Sequence, residues 1–379
     1  MDHPWSSTKP PAGWAGGGYA LAMVRWMVLA WTGGLVACSQ LPGVVVVDPA
    51  RADAGGQTMP VVDAGAGVIV PDAGMVVTSL DAGVGVDSGL ITGEVGPTCF
   101  PEIYRPNLPN PRYEQFSPAV ATHCAGTNHQ DIRNVQRVVF LGDSITAGTP
   151  PTAPAAFYRT VLTRRLTDLF GPQLEVANCS RVGARINELL HGDNPQIPTC
   201  FPEMVDPRPT LVVMTMGGND LADLQRAGSD GAPLAQTRAM VEAQVALMEE
   251  AVTFLKQSPQ RFPGGVFVVF ANLWEYTDGT GDVDSCIAVR LIGITGVWPD
   301  AEQLIIWANE QYMRIAVEQR ADLVLLMETF CGHGFHNDDE TARCYRGPDT
   351  PRWFDLTCIH PTPEGHTVVA DLFYNVIAQ

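Results

Sequence analysis

The residue with the clearest chemical potential is Ser144, in the run Arg137-Val-Val-Phe-Leu-Gly-Asp-Ser-Ile-Thr-Ala-Gly148. Val138-Val-Phe-Leu141 is short, apolar and rich in β-branched residues, as a strand inside a parallel sheet should be, and Gly142-Asp143 breaks it abruptly. That arrangement presents a serine on a glycine-cornered turn at the carboxyl edge of a sheet, where open α/β folds bind ligands. A serine hydroxyl is a weak nucleophile until a neighbouring base takes its proton. His360, in His360-Pro-Thr-Pro-Glu-Gly365 just ahead of a proline-started helix, is the candidate base. Two more apolar runs end in residues able to donate hydrogen bonds. Leu174 to Ala177 leads into Asn178-Cys-Ser-Arg-Val-Gly183, and Leu211-Val-Val-Met-Thr-Met216 leads into Gly217-Gly-Asn-Asp220.

Taken singly, each segment has an ordinary explanation. Gly-Asp-Ser is common turn chemistry, Gly217-Gly-Asn-Asp220 could be a loop with a helix cap, and a histidine before proline could simply end a loop. Ser, Gly, Asn and His in that order, each at a strand or helix edge, resemble the four blocks of the SGNH (GDSL-type) hydrolase superfamily, over roughly residues 135–379. The resemblance implies ester hydrolysis through an acyl-serine, which needs a deprotonated hydroxyl, a base and donors aimed at the oxyanion. It assigns Ser144 as nucleophile and His360 as general base. The oxyanion donors would be the backbone N–H of Ser144, the backbone N–H of Gly183 and the side-chain amide of Asn219. Glycine lets a backbone approach the substrate closely, and an amide donates without titrating.

One position departs from the superfamily pattern, which places an aspartate three residues before the histidine to hold its ring. Here that position is Thr357, and the nearest acid is Asp355, five residues before His360. Asp355 reaches the imidazole only if Leu356-Thr357-Cys358 folds into a turn or bulge. Otherwise a backbone carbonyl or the Thr357 hydroxyl must orient the ring, and the site is a Ser–His dyad.

The elements that must position these residues alternate. Strands are expected near 137–141, 174–178, 210–215, 265–271 and 322–327, and helices at about 156–170, 183–191, 234–257, 301–320 and 363–378. Alternation of this kind implies a parallel sheet covered on both faces. The superfamily resemblance makes it a flavodoxin-like three-layer α/β/α sandwich with strand order 2-1-3-4-5, the hydrolase domain running from 98 to 379. Its first part, 98–134, is proline-rich and reads as an irregular cap. Trp274, Tyr276 and Trp353 could line the substrate mouth or belong to the core. No long apolar lid is visible, which favours short acyl groups.

Residues 39–97 hold almost no aromatic side chain and repeat Asp-Ala-Gly at Asp53, Asp63, Asp72 and Asp81. Such a tract buries too little surface to offset its chain entropy and reads as an extended acidic tether, its aspartates too widely spaced for a calcium loop. Ahead of it, Arg25 precedes Trp26-Met-Val-Leu-Ala-Trp31, and Leu35-Val-Ala-Cys38 is similar to the lipobox of bacterial lipoproteins. The apolar stretch is too short to span a bilayer, so residues 1–38 read as a lipoprotein signal segment, with translation starting at Met23. That resemblance implies an acylated Cys38, a membrane partner reached through lipid, and a place in the bacterial cell envelope or outside the cell. Ser39 beside it favours the outer membrane.

Setting Cys38 aside leaves eight cysteines, an even number suited to four disulfides in an oxidising compartment. Short loops suggest pairs 99–124, 179–200 and 331–344, leaving 286–358, which would crosslink the loop carrying His360. A formal charge of −18 argues against nucleic acid and against electrostatic attachment to anionic lipid. His333-Gly-Phe-His336 with Asp338 and Asp339 resembles a metal cluster, but glycine disfavours the helix that would align both imidazoles, and a solvated loop is the expectation. His366 is expected on the surface of the final helix. No metal or cofactor is implied, and a monomer is expected. The expected substrate is a small-molecule or polysaccharide ester, an acetylated carbohydrate before a lysophospholipid or short-chain lipid. A degenerate, glycan-binding member is the non-enzymatic alternative.

Overall fold

Every residue of the strand Arg137–Gly142 (β1) is buried, as a central strand covered on both faces requires. The computed structural model describes residues 89–379 except 92, 204, 275 and 292–294. The chain divides into two units, 1–80 and 81–379. The first unit lies outside the described residues, and with it the expected signal segment and most of the expected tether. The tether's last residues belong to the fold instead. Leu90–Ile91 pairs antiparallel with Val120–Ala121, and Val95–Cys99 forms a helical turn with Val95 buried. Their apolar side chains find a core to join, and a disulfide from Cys99 to Cys124 closes the segment.

Four more strands complete a parallel sheet: Glu175–Asn178 (β2), Thr210–Thr215 (β3), Val266–Ala271 (β4) and Asp322–Val324 (β5). Their order is β2-β1-β3-β4-β5, the expected 2-1-3-4-5. Helices Tyr158–Phe170 (α1), Gly218–Ser229 (α2), Leu234–Lys256 (α3), Ala301–Gln319 (α4) and Pro363–Ile377 (α5) flank it. α1 packs on α5, while α2, α3 and α4 pack together as the other layer. The fold is the three-layer α/β/α sandwich.

Register decides what meets at the carboxyl edge. Gly142 at the end of β1 is level with Thr215 at the end of β3, and Phe140 is level with Asn178 at the end of β2. β1 and β3 flank the point where strand order reverses, the usual ligand crevice of this topology. The segments after β1, β2 and β3 therefore begin side by side.

Three elements differ from the sequence reading. The helix expected at 183–191 is a short 3₁₀ turn, Ile186–Leu189, because Gly183 takes a left-handed φ of 81° and Arg185 is extended. The strand expected at 322–327 stops at Val324. There Ala125 and Thr127 bridge its edge, and the Asn272 side chain accepts from the Met327 N–H at the start of the helical turn Leu326–Phe330. α2, hidden behind the turn-like Gly217-Gly218-Asn219-Asp220, buries Leu221 and Leu224. The antiparallel bridge at Gly126 shows what the 98–134 segment does: it covers an otherwise open sheet edge.

Candidate active site

Gly142 is the corner that turns β1 toward Ser144. Its φ is 139°, and a Cβ there would lie 2.2 Å from the Thr215 carbonyl oxygen and 2.5 Å from Thr146 Oγ1, so only glycine fits. The Gln196 side-chain amide clamps it, accepting from the Gly142 N–H at 2.7 Å and donating to its carbonyl at 2.9 Å. Nothing in the sequence around Gln196 signals that role.

Ser144 opens a single helical turn, Ser144–Ala147, so its N–H has no intrahelical acceptor. Asp143 caps the turn by accepting from the Ile145 N–H at 3.0 Å, and its second oxygen accepts from the Gly218 N–H at 3.2 Å. One carboxylate thus ties the serine turn to the Asn219 segment. Burial raises the Asp143 carboxyl to about 6, against the lowering effect of those donors.

The neighbouring segments are stitched in the same way. Asn219 Nδ2 donates to the Ala184 carbonyl at 2.9 Å, which leaves its second Nδ2–H for another acceptor. Asp220 accepts from the Ile186 N–H at 3.0 Å, and burial pushes its carboxyl up to about 7. The Arg181 N–H donates to the Gly142 carbonyl at 3.0 Å. Gly183 is partly exposed, and a Cβ added there would meet nothing within 4 Å, so its positive φ, not crowding, selects glycine.

His360 arrives from the other end of the chain. Its Nε2 lies 2.9 Å from Ser144 Oγ, within reach for proton transfer. Its Nδ1 lies 3.0 Å from Thr357 Oγ1, and Thr357 Oγ1 lies 2.5 Å from Asp355 Oδ1. The contact of Asp355 is therefore with Thr357, and the threonine hydroxyl stands between carboxylate and imidazole. Burial of the ring pushes the His360 pKa down to about 4, which keeps the imidazole neutral and able to accept a proton at ordinary pH. The loop that carries it is closed by an Asp355 N–H to His360 carbonyl bond at 2.8 Å and by the Cys286–Cys358 disulfide.

All four expected cysteine pairs are present: 99–124, 179–200, 286–358 and 331–344. Trp274 and Tyr276 are core residues, Trp274 packing on Phe330 and Phe354. His366, expected on the surface, is buried. Its Nδ1 accepts from the Tyr158 N–H at 3.2 Å because that face of α5 packs on α1. His333 stacks on Trp353 and bonds the Pro351 carbonyl, while His336 bonds Ser285. A groove of about 520 Å³ runs beside the loop that carries His360, lined mainly by Pro151, Phe335, Phe354, Leu356 and Pro363, with Arg352 and Asp355.

The GDSL-like lipase/acylhydrolase family model matches residues 140–368, well over half of the chain. The chain belongs to that family. This GDSL-like protein is accordingly an ester hydrolase of the lipase/acylhydrolase type, and the match runs from inside β1 to the first turns of α5. No curated protein matches it. Among solved structures, the extracellular lipase of Streptomyces rimosus is 16% identical, with 64% of this chain and 100% of that one covered and a TM-score of 0.41. Phospholipase A1 of Streptomyces albidoflavus is 15% identical over 64% and 99%, with a TM-score of 0.42. An acetyl xylan esterase is 17% identical over 64% and 99%, with a TM-score of 0.39. At such identities the likeness concerns the fold alone.

Proposed function

We propose that this GDSL-like protein is a secreted or membrane-tethered serine esterase that cleaves carboxylic esters through an acyl-serine intermediate, with short acyl esters of carbohydrates as its first substrates. The carrying observation is the 2.9 Å contact between Ser144 Oγ and His360 Nε2. Ser144 attacks the carbonyl carbon while His360 takes its proton. The imidazolium then protonates the departing alcohol, and water repeats the cycle to release the acid. The Ser144 and Gly183 N–H groups and the Asn219 amide receive the oxyanion, a reading supported by the hydrogen bonds that stitch their three segments together.

The apolar groove beside the base loop favours a second reading, a lysophospholipase or short-chain lipase. Leu356 is 79% exposed at its rim, and Arg352, stacked over Phe335 at 4.3 Å, would suit a phosphate headgroup. Hydrolysis of p-nitrophenyl esters from acetyl to decanoyl, together with acetate release from acetylated xylan, separates the two. The carbohydrate reading expects kcat/KM to be highest for acetyl, and a maximum at medium or long chains overturns it in favour of the lipid reading. Ser144→Ala is expected to abolish turnover. Equal rates for parent and variant would leave only a glycan-binding protein.

A further inference from the structure

We propose that Thr357 is a positioning residue that transmits the charge of Asp355 to His360, so that the site works as a four-membered Ser144–His360–Thr357–Asp355 relay. The inference rests on the esterase reading above and deepens it. It follows from counting protons and lone pairs on a single oxygen. Thr357 Oγ1 has three polar neighbours: the His360 backbone N–H at 3.2 Å, His360 Nδ1 at 3.0 Å and Asp355 Oδ1 at 2.5 Å. A hydroxyl offers one proton and two lone pairs. The backbone N–H can only donate, so it occupies one lone pair. Asp355 Oδ1 already accepts from the Thr357 backbone N–H at 2.7 Å, as a carboxylate does, and therefore takes the hydroxyl proton. The remaining lone pair faces Nδ1, which must carry a proton to fill it.

That assignment fixes the tautomer. With the ring proton on Nδ1, Nε2 is a bare acceptor opposite the Ser144 hydroxyl. During attack the Ser144 proton moves to Nε2, the Oγ lone pair forms the bond to the carbonyl carbon, and the carbonyl π pair moves onto oxygen. Collapse of that intermediate expels the alcohol, which takes the proton back from Nε2. In between, the ring is a cation, and the aligned Thr357 hydroxyl presents the Asp355 charge to it across one intervening group. Asp355 Oδ2 is buried and without a hydrogen-bond partner among the described residues, and burial raises the Asp355 carboxyl against the lowering effect of the two Thr357 donors, so the Thr357 contacts are what hold its charge.

Burial, and after it the charge of His360, lowers the pKa of His366 to about 4, so that neighbour is neutral, and Arg352 shares the groove wall with Asp355. Burial drives the His360 pKa to about 4, and in the relay the Asp355 charge acting through Thr357 would raise it. The acid limb of kcat/KM in the parent should therefore lie between about 4 and the ordinary value of 6.5.

The test is a set of full-chain variants with kcat, KM and pH profiles on a soluble short-chain ester, Ser144→Ala serving as the control for the reaction itself. Thr357→Val, which keeps shape and removes the hydroxyl, is expected to lower kcat by about 10² to 10³ with little change in KM. This falls short of the roughly 10⁴ known for a directly bonded triad carboxylate. Its acid limb should move down, and Asp355→Asn should behave alike. The double variant should be no worse than either single one. Thr357→Ser should recover most of the loss and the parent's acid limb. Thr357→Asp combined with Asp355→Ala places a carboxylate directly on Nδ1 and should also be active. Additive losses, an unmoved acid limb, or a serine variant as impaired as the valine one would each overturn the relay while Ser144→Ala still showed the esterase to be real. Undiminished turnover in Ser144→Ala would overturn the esterase reading and the relay with it.

Discussion

At Asn219 a single side-chain amide has two N–H groups to donate. One Nδ2–H holds the Ala184 carbonyl, which pins the turn carrying Gly183, and the other is available to an oxyanion. The side chain is only partly buried, so replacing it with alanine opens no cavity in the core. Loss of the fixed donor should lower kcat by about 10² to 10³. Loss of the Ala184 bond should cost stability only about 1 kcal/mol. We expect Asn219→Ala to fold with a nearly parental thermal midpoint, to keep KM, and to lose kcat on that scale. A variant that loses stability and activity together would assign Asn219 to the scaffold. Thr357 makes the complementary point at the same scale. It occupies the position where the superfamily pattern has an acid, and only the turn actually taken by Leu356-Thr357-Cys358 places its hydroxyl between the carboxylate and the ring. Cys358, with a φ of 66°, lies in the left-handed region that no local sequence rule assigns to a cysteine.

Among the elements, the loop from Trp353 to Thr362 is the part the regular sheet does not hold. It closes on itself through a bridge between Phe354 and Pro361 and a Thr362 N–H to Trp353 carbonyl bond at 2.7 Å. Outside it, the Thr152 hydroxyl donates to the Pro361 carbonyl, and the Cys286–Cys358 disulfide anchors the loop to the region after β4. Replacing both of these cysteines by alanine should cost about 4 kcal/mol by the usual chain-entropy argument for a separation of 72 residues. It should also lower kcat below the unfolding temperature, since His360 loses its nearest covalent anchor. Denaturant unfolding and turnover at a fixed low temperature check the two effects separately, and unchanged kcat would show that hydrogen bonds alone fix the loop. Four of the strands were legible in the sequence because short apolar runs end in glycine or asparagine signals, at Gly142, Asn178, Gly217 and Asn272. α2 and the shortened β5 were not. The first begins on a glycine pair that reads as a turn, and the second ends because a segment nearly two hundred residues earlier bridges its edge. Contacts between distant segments leave no local pattern, whereas the four site blocks are each local and could be read one by one.

For the molecule as a whole, the described site is confined to the unit 81–379, and all four disulfides lie within it. Disulfides of this density belong to oxidising compartments. Among the described residues no helix is long and apolar enough to cross a membrane. We propose that attachment comes through the lipobox-like Leu35-Val-Ala-Cys38. A single chain of fatty acid gives only marginal binding, so firm attachment through Cys38 would need more than one chain. The net charge of −18 gives no help at an anionic surface. Attachment and chemistry should therefore separate cleanly. We expect the full chain, expressed in a bacterium with lipoprotein processing, to partition into detergent phase. Cys38→Ala should leave the membrane fraction while keeping the parental kcat/KM on a soluble acetyl ester, because residue 38 lies outside the unit that holds Ser144 and His360. A variant that stays membrane-bound would place the anchor elsewhere. A released variant with lost kcat/KM would mean that the residues before 81 contribute to the site itself.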